Sequence, residues 1–173
     1  KGHHFEHVTL VVIVDADTSL LSPDFRSTER MGQLLTQVAG RSGRGIIPGH
    51  VLVQSYQPQN PVLKVLLEQG YGPFANQLLA ERKKFDLPPY QHLALIRAEA
   101  NLASRAEKFL LSAKAIASSI RKPSQTLFYI GPLPAMLERR SGRYRYILRI
   151  ESKSRKTLNR LLDALSKKLE SGQ

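Results

Sequence analysis

The sequence predicts an α/β unit of parallel-sheet type followed by a smaller α+β unit with the split-βαβ pattern. Three observations predict it. Residues 8–14 form an apolar run interrupted only by Thr9, the length of a buried strand. Capped helix signals follow each strand of the first ninety residues. The last eighty residues alternate strand and helix patterns in the order βαββα, which is the split-βαβ order lacking its final strand.

Taken in order, the strand at 8–14 is expected to be covered on both faces, and it ends in Asp15-Ala16-Asp17. Ser22-Pro23-Asp24 supplies an N-cap, a proline at the first helical position and an acid in the first turn. Phe25, Met31, Leu34, Leu35 and Val38 then fall on one helical face, and the glycines from Gly40 to Gly45 end the helix. Residues 50–54 read as a second short strand. Asn60-Pro61 opens a helix carrying Val62, Leu63, Leu66 and Leu67, and a further helix carries Phe74, Leu78 and Leu79 up to the Arg82-Lys83-Lys84 cluster, which reads as a solvated face. Pro88-Pro89 breaks the chain. Beyond it the patterns predict a strand at 93–100, a helix at 103–120, strands at 126–131 and 144–151, and a helix at 154–169. The domain organisation expected is 1–58 for the α/β part, 59–90 for docking helices and a proline-rich linker, and 91–173 for a basic α+β domain.

Charge separates the halves. The 26 Lys and Arg against 14 Asp and Glu give a net charge of +12. Residues 1–90 hold nine basic and eight acidic side chains, whereas residues 91–173 hold seventeen and six. A polyanion such as nucleic acid is therefore the expected partner of the second half. The absence of cysteine excludes a disulfide framework, a thiol nucleophile and Cys-ligated zinc or iron–sulfur in this chain, and it suits a reducing cytoplasm. No apolar run approaches a membrane span. The chain begins at Lys1 just ahead of a chemically rich stretch and is expected to be a piece of something longer.

Two places concentrate the chemistry. In Gln37-Val38-Ala39-Gly40-Arg41-Ser42-Gly43-Arg44-Gly45, two arginines three apart project from a helix end, a disposition suited to phosphate oxygens or to a developing phosphoryl charge. A capping loop with surface arginines is the alternative. Between residues 139 and 160, nine basic residues face one acid, Glu151. Strand alternation there places Arg143, Arg145 and Arg149 on one side and Tyr144, Tyr146, Leu148 and Ile150 on the other. A Ser141-Gly142 turn would add Arg139 and Arg140 to the basic face, which would bind phosphate backbones without reading sequence. Tyr144 could stack on a base, although its alternation favours the core. Ser154 and Arg155 open the last helix, a natural carboxylate site. His3, His4 and His7 invite a metal reading, but with Glu6 as the nearest supporting acid the expectation is no metal. Asp15 and Asp17 could form a carboxylate pair or serve loop hydrogen bonding.

Q-x-x-G-R-x-G-R at Gln37–Arg44 is similar to the sixth motif of superfamily-two helicases, and Lys1-Gly2-His3-His4-Phe5 resembles the end of the fifth. The ordered series KGHHF, DAD, SPDFRSTER, LLTQVAGRSGR, FDLPPY and GRYRY resembles the primosomal replication-restart helicases over essentially the whole chain. The resemblance implies part of a second RecA-like lobe followed by a ferredoxin-like or ribosomal-S10-like domain, in an ATP-driven 3′ to 5′ DNA helicase that recognises abandoned forks and assembles a primosome. It implies Arg44 as an arginine finger and Arg41 beside the nucleotide, the two catalytic positions. Gln37, Asp17 and Gly40 become nucleotide-site residues. Gly2 and His3 border the DNA, joined there by Arg139, Arg140, Arg143, Arg145 and Arg149. Arg155 and Asn159 become contacts for the acidic tail of single-stranded-DNA-binding protein.

ATP and Mg2+ would be cofactors of the parent protein, with zinc only in an upstream module that this cysteine-free chain does not carry. No G-x-x-x-x-G-K-[ST] loop and no acidic magnesium box occur, so this chain alone is expected not to hydrolyse ATP. The other reading is a non-catalytic basic nucleic-acid-binding protein, with Arg41 and Arg44 packed against the chain's own surface. An isolated half lobe is expected to dimerise or to order its first half poorly.

Overall fold

A computed structural model describes residues 8–40 and 49–171. The chain divides into two compact units, Lys1–Phe85 and Asp86–Gln173.

In the first unit, β1 (Leu10–Ile13) and β2 (His50–Val53) pair in parallel, with Leu10 opposite His50 and Ile13 opposite Val53. Among the described residues four helices accompany them: α1 (Asp17–Leu20), α2 (Ser27–Ala39), α3 (Pro61–Gln69) and α4 (Tyr71–Lys84). Met31 and Leu35 of α2, Leu63 and Leu66 of α3, and Phe74 and Leu78 of α4 form one buried cluster with Ala16. The helices expected as a docking segment thus share a core with the strand–helix–strand part. Asn60 starts α3 as the sequence suggests, its side-chain oxygen accepting from the backbone N–H groups of Val62 (3.0 Å) and Leu63 (3.4 Å). At Gly32 the two helices touch: a Cβ there would lie 2.3 Å from Cε1 of Phe74.

Three expectations for this unit need correction. The first strand is not covered on both faces: Ile13 and Val53 pack on the core, but Leu10, Val12 and Leu52 are each more than half exposed. Among the described residues, the buried apolar side chains of the unit's helices belong to one cluster, on the Ile13 side. Ser22 does not cap α2, which starts at Ser27 after Arg26. Ser22 and Asp24 accept instead from the N–H groups of Asp24 and Arg26, two residues on, and these local turns delay the helix. Arg82 is not solvated: its guanidinium donates to Glu29 (2.7 Å) and to the Phe25 carbonyl (3.3 Å), and stacks over the Phe25 ring.

The second unit is β3 (His92–Ala100), α5 (Ala103–Ile120), β4 (Leu127–Arg140), β5 (Arg143–Ser152) and α6 (Arg155–Ser171). β5 lies between β3 and β4 and is antiparallel to both, so β3 and β4 run parallel with a strand inserted between them. Leu148 and Ile150 point to one face, where Leu110, Ala113 and Ala117 of α5 and Leu158, Leu161 and Leu165 of α6 bury them. Tyr129 ties β4 to the end of α5, its hydroxyl donating to the Arg121 carbonyl at 2.8 Å. β4 runs nine residues beyond its expected end at Gly131, through Pro132 and Pro134. Prolines are tolerated because β4 is an edge strand, and the ladder shifts register on either side of them.

Candidate nucleic-acid interface

The β4–β5 hairpin builds the densest cationic surface. Its turn is Ser141-Gly142, both at positive φ (50° and 78°), which is the two-residue geometry that matches strand twist. Register then places Arg140 opposite Arg143 and Arg139 opposite Tyr144. The Arg139 guanidinium stacks on the Tyr144 ring, 5.2 Å from its centroid. Tyr144 is half-buried under this arginine rather than enclosed in the core.

Alternation sends Arg145 and Arg149 to the face away from α5 and α6, as expected. Both are already partnered there. Arg145 Nε donates to Glu99 Oε1 at 2.7 Å, and Arg143 donates to the Glu99 carbonyl at 3.1 Å. Arg149 Nε lies 2.8 Å from Glu151 Oε1, but its N–H makes no hydrogen bond, so the pair is a charge contact only. Gln91 donates to the other oxygen of Glu151. A phosphate approaching Arg145 or Arg149 therefore competes with carboxylates, whereas Arg140 makes no ion pair among the described residues. Arg139, Arg140 and Arg143 are the most available cations of the hairpin.

The basic stretch is continuous in sequence and divided in space. β5 carries the chain from the hairpin turn to Ser152, ten residues or roughly 30 Å away. Only there does α6 begin, with Ser154 as its cap: the Ser154 hydroxyl accepts from the Thr157 N–H at 3.2 Å. Arg155 and Asn159 stand exposed one turn apart in α6, at the opposite end of β5 from the hairpin turn.

Of the nucleotide-site expectations, Arg41 and Arg44 lie outside the described residues, as do Gly2, His3, His4 and His7. Gln37 is exposed in the last turn of α2, and Gly40 follows as its C-terminal cap. Asp17 is buried at the C-terminal end of the strands. Its carboxylate accepts from the Ser55 hydroxyl (2.9 Å) and the Tyr56 N–H (2.8 Å), joining the segments that leave β1 and β2. The Tyr56 N–H is the main reason its carboxyl titrates below the ordinary range, with burial opposing and Ser55 assisting. Asp15 accepts from both the N–H and the hydroxyl of Thr18, which makes the two aspartates loop ligands rather than a carboxylate pair. Among the described residues no group of three or more His, Cys, Asp or Glu could hold a metal, and no helix is long and apolar enough to cross a membrane.

Comparison with known proteins decides the family. The model of the primosomal protein N C-terminal domain matches residues 83–173, more than half of the chain. The chain belongs to that family. Proteins named replication restart protein PriA from Haemophilus influenzae, Bacillus subtilis and Synechocystis are 42%, 39% and 36% identical to it, over 94%, 94% and 87% of its length. It spans only about a fifth of those relatives, 22%, 20% and 18% respectively. The primosomal protein N C-terminal domain so defined contains the whole hairpin and α6. It also contains a cation that the sequence reading missed. Arg97 of β3 is exposed, lies opposite Ile147 on the same open face as Arg145 and Arg149, and makes no ion pair among the described residues. The alternation of Ile96 and Ala98 inward with Arg97 and Glu99 outward was the signal that could have found it.

Proposed function

We propose that the chain is the C-terminal part of an ATP-dependent 3′ to 5′ DNA helicase that restarts replication at abandoned forks. One observation carries the reading. The likeness to proteins named for replication restart extends over 94% of the chain, through both units. The unit holding Gln37–Arg44 and the basic unit therefore belong to one protein of that kind.

On this reading the first unit is part of a RecA-like lobe and supplies one wall of a nucleotide site. Arg44 would be the arginine finger on the γ-phosphate and Arg41 its neighbour, with Gln37 and Gly40 beside them. Asp17 acts at one remove, fixing Ser55 and Tyr56 where the chain leaves β2. ATP and Mg2+ serve the longer protein, since the residues that would hold the β-phosphate and the magnesium are not in this chain. The second unit binds forked and single-stranded DNA through Arg139, Arg140 and Arg143, with Arg145 and Arg149 contributing where a phosphate displaces a carboxylate. Gly2 and His3 are separate DNA contacts of the first unit on this reading. Arg155 and Asn159 take the acidic tail of single-stranded-DNA-binding protein, at a place distinct from the hairpin, and other primosome proteins follow. The setting is the cytoplasm.

The test is DNA-stimulated ATP hydrolysis by a chain extended to the length of its relatives, wild type beside Arg44→Ala at equal salt. Turnover should fall on the order of 10³-fold while DNA binding persists. Hydrolysis indifferent to Arg44, or none at all, would leave a non-catalytic nucleic-acid-binding protein.

A further inference from the structure

Between Pro134, which pairs with Tyr146, and Arg139, which pairs with Tyr144, β4 spends four residues against the single residue Arg145 of β5. The segment Ala135-Met136-Leu137-Glu138, three residues longer than the strand it faces, is a bulge on the outer strand of the sheet. In a regular strand one of two adjacent residues would turn toward the helices. Here Met136 is 77% exposed and Leu137 56%, so the bulge turns both apolar side chains out. Its C-terminal base is held. The Tyr146 hydroxyl donates to Glu138 at 3.5 Å, and Arg139 stacks on Tyr144. Burial first, and the Glu138 carboxylate second, raise the Tyr146 phenol above its usual range, so it stays protonated as the donor. A framed bulge thus presents two apolar side chains that contribute nothing to the core.

Their setting selects the occupant. Arg139, Arg140, Arg143 and Arg145 adjoin the bulge, against Glu138 and Glu99. An apolar partner with positive or neutral surroundings would be repelled or unrewarded. A partner whose apolar face is bordered by anions fits, and the end of a DNA duplex is such a surface: flat stacked bases edged by phosphates. Methionine and leucine are among the side chains that insert between base steps as apolar wedges, and a duplex end offers the same base face without the cost of unstacking a step.

We propose that Met136 and Leu137 form an apolar wedge that stacks on the last base pair of a DNA duplex while Arg139, Arg140 and Arg143 hold its phosphates. This deepens the DNA-binding reading above and rests on it. The wedge distinguishes a duplex end from continuous single strand, a discrimination that arginines on phosphates alone do not supply.

The test uses the whole 173-residue chain. A hairpin DNA with 2-aminopurine in its terminal base pair, the same hairpin with the probe ten pairs inward, and a single strand of equal length are titrated with wild type, Met136→Ser/Leu137→Ser and Arg140→Ala. Both wedge positions are exposed, and thermal melting by circular dichroism verifies the fold of each variant. The wild type should perturb the terminal probe and leave the inner one unchanged. The double variant should lose the terminal signal and about tenfold in affinity for the duplex end, with affinity for the single strand changed less than twofold. Arg140→Ala should weaken both. Equal effects of the double variant on both DNAs, an unchanged terminal signal, or a response of the inner probe would overturn the wedge and leave DNA binding standing. A wild-type chain that binds neither DNA would overturn the DNA-binding reading and the wedge with it.

Discussion

In the second unit the residues that alternation sends inward from β5 meet two helices, and those it sends outward are charged apart from Ile147; in the first unit β1 and β2 carry apolar residues on both sides and, among the described residues, helices on only one. Leu148 and Ile150 are fully buried, while Arg145 and Arg149 are matched by Glu99 and Glu151. Leu10, Val12 and Leu52 have no such reason to face water. A strand apolar on both sides is the pattern of a sheet covered on both sides. The difference teaches that the second unit has a self-contained core, whereas the first has the residue pattern of one layer in a larger assembly. It also sets apart the two proposed kinds of chemistry: phosphate contact belongs to a hairpin held by its own core, whereas the nucleotide arginines proposed above belong to the first unit.

The comparison breaks most readily at the cores. Leu148→Ala removes a fully buried side chain between β5 and both helices and should cost about 2–5 kcal/mol. If the units are independent, hydrogen exchange will accelerate throughout residues 86–171 and stay unchanged in α2 to α4. Loss of protection in both would show one cooperative body. Gly32→Ala probes the other side. Alanine ordinarily strengthens a helix by about 0.5–1 kcal/mol over glycine. Here its Cβ would meet Phe74, which is fully buried and has nowhere to retreat, so overpacking wins at about 1–3 kcal/mol. The melting point of the first unit should fall and that of the second stay put. A rise would mean that α2 and α4 separate more easily than their packing indicates.

Much of this arrangement is legible in the residues. Asn60-Pro61 starts α3, and the stripe from Ala106 to Ala117 gives α5 with the bounds that its pattern suggests. The arginine alternation on β5 holds because strand geometry leaves it no choice. What was hidden depends on partners distant in sequence. Arg82 reads as one of three surface cations until α4 is laid beside Glu29 and Phe25. Two prolines read as the end of β4 unless the strand is known to be at an edge. The arginines of 139–160 look like one patch until β5 carries them apart, and Asp17 looks like a site carboxylate until Ser55 and Tyr56 occupy it.

That last residue gives the smallest and most specific way to sharpen the contrast between the units. The Asp17 carboxyl titrates below its ordinary value of 3.8, chiefly because the Tyr56 N–H favours the ionised form. A folded pKa below the unfolded one stabilises the folded state above the unfolded value, and the contribution vanishes as pH falls through the folded pKa. The first unit should therefore lose stability below about pH 4 as the Asp17 carboxylate protonates. Asp17→Asn keeps an acceptor for Tyr56 or Ser55 but cannot ionise, so its cost should be smaller than that of Gly32→Ala. Exchange of the Tyr56 amide, followed from pH 6 to pH 3 in both proteins, reads the linkage directly. Protection in the wild type should exceed that in the variant by a constant factor above about pH 5, and the gap should close in the acid range. A gap independent of pH would assign the effect of Asp17 to shape and packing, and the acid sensitivity of the first unit would need another carboxylate.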